Sequence, residues 1–180
     1  GIFDAGTPVD PPTLALPSFS LMTYNVAGLP AWLSGSGTRD ATLLMSPLLN
    51  PYDIVAVQED FSYHEELISK DLHPHKSTPK PSPGIDIGDG LNFMSNYAFP
   101  ASVRVKWDAC NGVFGNKSDC LTDKGLFGGR FEFAPGVTVD IYNIHMDAGR
   151  DGDDEKARRK QVVQLLSNIA LYSTGQPVIV

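Results

Sequence analysis

Cysteine, positive charge and long apolar runs are all scarce in this sequence, and each scarcity narrows the functions open to it. Two cysteines among 180 residues permit one disulfide at most, so a chain of this length folds on its apolar core rather than on staples. Lysine and arginine total 14 against 21 aspartates and glutamates, a net charge of −7. That balance argues against broad adhesion to nucleic acid or anionic membrane, while leaving room for a local basic groove. No apolar run approaches the ~20 residues that cross a bilayer, so no transmembrane segment is expected. The chain starts at Gly1 rather than methionine and carries no signal-peptide pattern, which suits a processed mature N-terminus and a recombinant form equally well.

A hydrophobic content of 42% supports a sizeable core, and one domain is the expectation. Cys110 and Cys120 lie close together in a loop-like stretch that also holds the sequon Asn116-Lys117-Ser118. Together they predict a disulfide, a candidate glycosylation site at Asn116 and a secreted protein, with two free thiols as the alternative. Closing so short a loop contributes roughly 3 kcal/mol on the chain-entropy account.

Three apolar runs each finish on a residue able to bind a metal or a phosphate: Leu21 to Asn25, Ile54 to Glu59, and Val137 to His145. Strand side chains alternate between faces, so Val137, Val139, Ile141, Asn143, His145 and, with one more step, Asp147 share a side. The same stepping groups Phe19, Leu21, Thr23 and Asn25, and it groups Val55, Val57 and Glu59. Polar residues at C-terminal strand ends of one rim converge readily on a ligand.

Residues 1–17 are rich in proline and read as an extended N-terminal lead-in. After the first strand, a loop through Gly35 and Gly37 leads to a predicted helix from Arg39 to Leu49, its last turn limited by Pro47. A strand from Asp53 to Glu59 and a helix from Phe61 to Leu72 follow, then a long loop from His73 to Asp89. Strands are predicted around Leu91 to Ser95, Ala101 to Trp107, Gly125 to Phe133 and Val137 to Met146, spaced for antiparallel pairing. The clearest helix runs from Asp153 to Tyr172, with Val162, Leu165, Leu166, Ile169 and Ala170 as its apolar stripe. The pairs Asp154 with Arg158 and Glu155 with Arg159 mark its solvated face, and Gly175 ends it. A buried strand from Pro177 to Val180 closes the sequence, and the chain is expected to be truncated or nicked there.

In order and in strand-end placement, five pieces of this chain resemble one superfamily. They are Thr23-Tyr24-Asn25-Val26, Asp53 to Glu59, Asp89-Gly90-Leu91, Lys124-Gly125 and Asn143-Ile144-His145-Met146-Asp147-Ala148, followed by a helix with Gln161. The superfamily is that of DNase I, neutral sphingomyelinases and inositol-polyphosphate phosphatases, the endonuclease/exonuclease/phosphatase domains. The resemblance implies an α+β fold, a four-layer α/β/β/α sandwich, with residues 18–180 as the N-terminal portion of a single DNase I-like domain.

It also implies roles. Glu59 would hold a divalent cation, Mg²⁺ or another such as Ca²⁺ or Mn²⁺, and Asn25 would help bind metal or phosphate. His145 would contact the phosphoryl group, with Asp147 a further candidate catalytic residue set against a plain turn-capping role. The chemistry is coherent, because a hard cation takes few carboxylates and offsets charge on phosphoryl oxygens. His64, His73 and His75 are expected in loops or facing solvent, and Asp60 and Asp140 to be structural.

Family members also carry a Gly-Asp-x-Asn element after the strand beginning here at Pro177 and a final Asp-His pair, and neither occurs in this sequence. Those parts supply the water-activating histidine, so these 180 residues are expected to be inactive without a companion C-terminal polypeptide of the same precursor. Phe61 stands where nucleases of the family often carry a basic residue that meets DNA phosphate. The segment from Trp107 to Gly125 resembles the sphingomyelinase branch, which likewise leads into Lys-Gly. Phe61 and Lys124 are therefore candidate substrate-binding residues of a secreted phosphodiesterase acting on a phospholipid head group. DNA cleavage of the DNase I type and a non-catalytic binding protein on the same scaffold are the alternatives.

Overall fold

Both sheets implied by the resemblance are present in the computed structural model, which describes residues 18–30, 39–80, 88–112, 120 and 122–180. The Pro-rich lead-in, the loop through Gly35 and Gly37, and the Asn116 sequon lie outside the described residues. The first sheet holds β1 (Leu21–Asn25), β2 (Ile54–Gln58), β3 (His75–Lys76) and β4 (Asn92–Ser95) in the order β1-β2-β4-β3. The second holds β5 (Ala98–Lys106), β6 (Gly125–Ala134), β7 (Val137–Ile144) and β8 (Val178–Ile179) in sequence order.

Strand β1 runs parallel to β2 with Asn25 opposite Gln58, so both strands end on one rim. Strand β4 runs antiparallel to β2 with Asn92 opposite Val57, which brings the Asp89-Gly90 turn to that same rim. In the second sheet β6 starts where β7 ends, Leu126 facing Ile144, so Gly125 falls opposite His145 and Lys124 lies one residue away at the same end. The expected antiparallel pairing holds for β5, β6 and β7, and β8 lies parallel to β7.

The inner faces pack on each other through Ile54, Ala56, Leu91 and Phe93 from one side and Phe127, Phe131 and Ile141 from the other. Phe93 lies at the centre, its ring 4.9 Å from Phe127 and 5.1 Å from Phe131. Outside the first sheet, Val55, Val57 and Met94 meet Leu49 and Leu67 beside helices α1 (Arg39–Met45) and α2 (His64–Ile68). Outside the second, Leu126 and Tyr142 meet Leu165 of α3 (Gly152–Tyr172). The arrangement is helix, sheet, sheet, helix.

Several elements depart from the sequence reading: His75–Lys76 pairs as a strand inside the expected long loop, and the expected buried strand from Pro177 forms only at Val178–Ile179, half-buried, with Val180 exposed. Pro47 converts the end of the first helix into a 3-10 turn, Ser46–Leu48. Only His64–Ile68 of the predicted Phe61 to Leu72 helix forms, because residues 59–62 are spent in a turn where Phe61 N bonds Glu59 O and Ser62 N bonds Gly28 O. Helix α3 buries Asp154, Ala157, Gln161 and Leu165, whereas Val162 and Leu166 of the predicted stripe are exposed.

Candidate active site

Strict alternation puts Glu59 with Val55 and Val57 on the helix-covered face, yet the structure places it on the inner rim. Its backbone is the reason: Glu59 has φ 58°, a left-handed conformation that costs a non-glycine residue about 1–3 kcal/mol. The turn reverses the side chain's direction, and flanking bonds hold it, Gly28 N to Glu59 O at 2.9 Å and Asp60 N to Gly90 O at 3.0 Å. A Cβ on Gly28 would lie 2.5 Å from Glu59 O, so glycine is what lets the two loops touch.

Once turned, Glu59 Oε1 accepts from Asn25 Nδ2 at 2.8 Å, while Asn25 Oδ1 accepts from Ala27 N at 2.9 Å. His145 Nε2 comes from the opposite sheet to within 3.6 Å of the same Oε1. The three residues predicted to meet do meet, two across one sheet and the third across the gap. Beneath them Gln58 Nε2 donates to Asn143 Oδ1 at 2.6 Å, and Asn143 Nδ2 donates to Val57 O at 2.8 Å. These amide bonds tie the sheets together directly under the mouth.

The segment after β7 is held by side chains. Trp107 Nε1 donates to His145 O at 2.7 Å, and Lys124 Nζ to Met146 O at 3.4 Å. Arg158 Nη1 donates to the carbonyls of Asp147, Ala148 and Gly149, each at 3.1 Å. The sequence pairing of Asp154 with Arg158 is therefore replaced. Asp154 Oδ1 accepts from Asn111 Nδ2 at 2.6 Å, and its Oδ2 from Asp151 N at 2.9 Å, closing a capping box at the start of α3. The pair of Glu155 with Arg159 does form, at 2.9 Å.

Asp147 is buried, its Oδ1 accepting from Gln161 Nε2 at 2.8 Å and its Oδ2 from Asn111 N at 2.7 Å. Asn111 follows Cys110, which is disulfide-bonded to Cys120 with a Cα–Cα distance of 5.4 Å, as expected. Phe61 lies in the Glu59 turn with its ring over Gly90, where a Cβ would sit 2.4 Å from Cε1. Asp123 takes Lys80 Nζ at 2.6 Å and also Lys106; burial opposes its charge, but these two partners outweigh that and hold its pKa below the usual carboxylate range.

Of the histidines expected in loops or facing solvent, His73 lies in a loop but is buried, and His64 is half-buried at the start of α2. His64 Nδ1 lies 2.6 Å from Asp60 Oδ2, which also accepts from Asn92 Nδ2 at 2.8 Å. His73 is buried between Asp71 and the Tyr52 carbonyl, 2.7 Å from its Nε2. Both partners are close in sequence, so the spacings Asp60 to His64 and Asp71 to His73 were the available signals. For Gln161, the signal was its phase with Ala157 and Leu165 on one side of a long helix.

Among the described residues no three His, Cys, Asp or Glu side chains gather as a metal cage. Glu59 Oε2 makes no hydrogen bond with a described residue, while Oε1 is shared with Asn25 and faces His145. One carboxylate beside one carboxamide fits a hard cation such as Mg²⁺, which keeps several waters and takes few protein ligands. It does not fit an ion that demands a closed set of protein donors.

No family model matches the chain. The chain is 34% identical over 186 aligned residues to a sphingomyelinase of Mycobacterium tuberculosis, covering 99% of this chain and 36% of that protein. It thus spans about a third of the curated relatives it matches. Among solved structures, a beta toxin mutant from Staphylococcus aureus with bound magnesium ions superposes with a TM-score of 0.73 at 16% identity, covering 89% of this chain and 61% of that one. An endonuclease/exonuclease/phosphatase from Beutenbergia cavernae superposes with a TM-score of 0.54 at 17% identity, covering 83% and 43%. The fold is the DNase I-like one, and the resemblance read from the motifs holds in sequence and in architecture.

Proposed function

We propose that this chain carries the metal-binding and phosphoryl-binding rim of a divalent-metal-dependent phosphodiesterase that acts outside the cell on sphingomyelin-type head groups. The observation that carries the reading is the meeting of Asn25, Glu59 and His145 at one mouth, with 2.8 Å and 3.6 Å separations to a single carboxylate oxygen. Similarity to a sphingomyelinase along 99% of the chain supports the substrate class, as does Phe61 in place of a cation beside Glu59. The Cys110–Cys120 bond supports an oxidising compartment.

Glu59, steadied by Asn25, would hold the cation; Asp147, a candidate catalytic residue by sequence, is buried and bonded to Gln161 and Asn111, which suits an anchor. A bound Mg²⁺ supplies charge neutralisation at the phosphoryl oxygens. His145 donates a hydrogen bond to the same developing charge, and Lys124 adds a positive group beside it, both fixed in advance by the sheet and so needing little reorganisation. Phe61 offers an apolar edge at the mouth suited to a lipid head group rather than a nucleic-acid backbone. On this reading the base that activates water belongs to Gly-Asp-x-Asn and Asp-His elements of the kind the family carries, which do not occur among these 180 residues.

The test uses the longest natural form of the protein with sphingomyelin vesicles and with supercoiled plasmid, each with Mg²⁺ and after chelation. Metal-dependent release of the phosphorylated head group, without plasmid nicking, is the expected result. Glu59→Gln should lower turnover by at least ~100-fold and abolish saturable Mg²⁺ binding. Nicking without lipid hydrolysis would reverse the substrate assignment, and unchanged Mg²⁺ affinity in the variant would remove Glu59 from the site.

A further inference from the structure

We propose that Gln161 and Asp147 are positioning residues for His145, a buried carboxamide–carboxylate latch that joins α3, the strand end of β7 and the entrance of the disulfide segment. The proposal rests on the phosphodiesterase reading for its catalytic consequence, while its geometry stands independently of that reading.

Gln161 is wholly buried, yet each of its polar atoms is used. Its Nε2 donates to Ala109 O and to Asp147 Oδ1, both at 2.8 Å, and its Oε1 accepts from Asp147 N at 3.1 Å. One carboxamide therefore grips both the backbone and the side chain of Asp147. A single bond would let the chain pivot; two bonds to one residue fix the rotation of the peptide that precedes it. That residue lies two positions beyond His145, whose own backbone is bonded on both sides, N to Gly125 O at 3.0 Å and O to Trp107 Nε1 at 2.7 Å.

The second oxygen of Asp147 carries the linkage on to Asn111 N, the residue beside Cys110. Burying a carboxylate is costly unless its lone pairs are met, and here donors from helix and loop meet them. Removing either partner leaves unmatched charge or unmatched N–H groups where His145 must be aimed. The apolar contacts of Leu126, Tyr142 and Leu165 beneath α3 involve neither residue. Loss of the latch should thus disturb the aim of His145 more than the packing of the sheet.

The experiment compares Asp147→Asn, Gln161→Glu and the double variant in the longest natural form of the protein. Each single change sets like groups against each other: two N–H donors in the first, two carboxylates in the second. The double restores a carboxamide facing a carboxylate, with their positions exchanged, while Ala109 O still lacks the donor that Gln161 Nε2 gave it. Each single variant should lose roughly 10- to 100-fold in kcat, as misplacement by an ångström does, with KM and Mg²⁺ affinity changed less than about twofold. The double should recover part of that loss, the bond to Ala109 O being absent from both Gln161→Glu and the double.

NMR contacts from the His145 ring to the Asn25 and Glu59 side chains should weaken in the singles and return in the double. In the unaltered protein the amides of Asp147 and Asn111 should exchange slowly with solvent, a measurement that needs no variant to fold. Lowered melting temperatures with unchanged kcat and unchanged ring contacts would overturn the proposal, as would fast exchange of both amides. If the unaltered protein hydrolyses no phosphodiester, the functional reading fails, and the ring contacts and exchange rates alone decide the latch.

Discussion

Glu59 reaches the mouth because its own backbone turns left-handed, whereas His145 reaches it because a helix and a tethered segment grip the chain that follows it. On the Glu59 side the supporting bonds are mostly main chain to main chain: Val26 N to Gln58 O, Gly28 N to Glu59 O, Ser62 N to Gly28 O. On the His145 side they come from Trp107, Lys124, Arg158 and Gln161. A site half moulded by backbone is sensitive to added bulk. A half held by long side chains is sensitive to their removal.

The sharpest way to break the contrast is Gly28→Ala. Its Cβ would lie 2.5 Å from Glu59 O, a main-chain atom that cannot rotate away. The turn must open, at a cost of about 1–3 kcal/mol, and Mg²⁺ affinity should fall at least ~10-fold while the His145 ring keeps its environment. Calorimetric titration together with NMR of the histidine ring checks both halves; intact affinity would show that the Glu59 turn tolerates bulk after all.

A smaller effect concerns the far end of β2, where His73 sits under Tyr52. Burial opposes the charge of His73, but its bonds to Asp71 and to the Tyr52 carbonyl outweigh that and raise its pKa. Burial likewise opposes the charge of Asp71, and His73 and Lys76 overrule it, so its pKa is lowered. A raised imidazole contributes stability that is complete below its ordinary value of about 6.5 and is lost as pH climbs through the folded value. The lowered carboxylate contributes above its ordinary range and loses that contribution as pH falls through its folded value. Urea midpoints should therefore decline from pH 6 to pH 9, and His73→Gln should flatten that decline without changing Mg²⁺ affinity per folded molecule.

The smallest effect is Gly152→Ala at the start of α3, where a Cβ meets nothing within 4 Å. This side of the molecule should accept bulk, gaining about 0.4–1 kcal/mol in thermal unfolding. A loss instead would mean that the capping turn of Asp151 and Asp154 is as tightly moulded as the Glu59 turn.

Strand phase made most of the site legible. Asn25, Asn143 and His145 lie on the inner faces because two-residue stepping holds along β1 and β7. Glu59 broke the rule, since stepping presumes extended backbone and one left-handed residue cancels it. The motif grouped Glu59 with Asn25 and His145, as the fold does, where periodicity did not. Helix α3 misled in another way: a hydrophobic stripe is visible in sequence, but the carbonyls of residues 147–149 and the amide of Asn111 are not. Those distant partners turned Arg158 and Asp154 away from each other and left Val162 and Leu166 in solvent. The disulfide was legible from proximity in sequence alone.

Asn143 carries a consequence for how the molecule comes apart. Its carboxamide is pinned to Val57 and Asn92 of the facing sheet while receiving Gln58, so creep of one sheet past the other by a single residue, about 3.3 Å, would strand several dry dipoles at once. Gradual slackening is therefore closed off. Heating should leave the cleft with whatever Mg²⁺ affinity titration measures for it until the whole sandwich parts, so that loss of binding and loss of tertiary signal fall on one thermal curve.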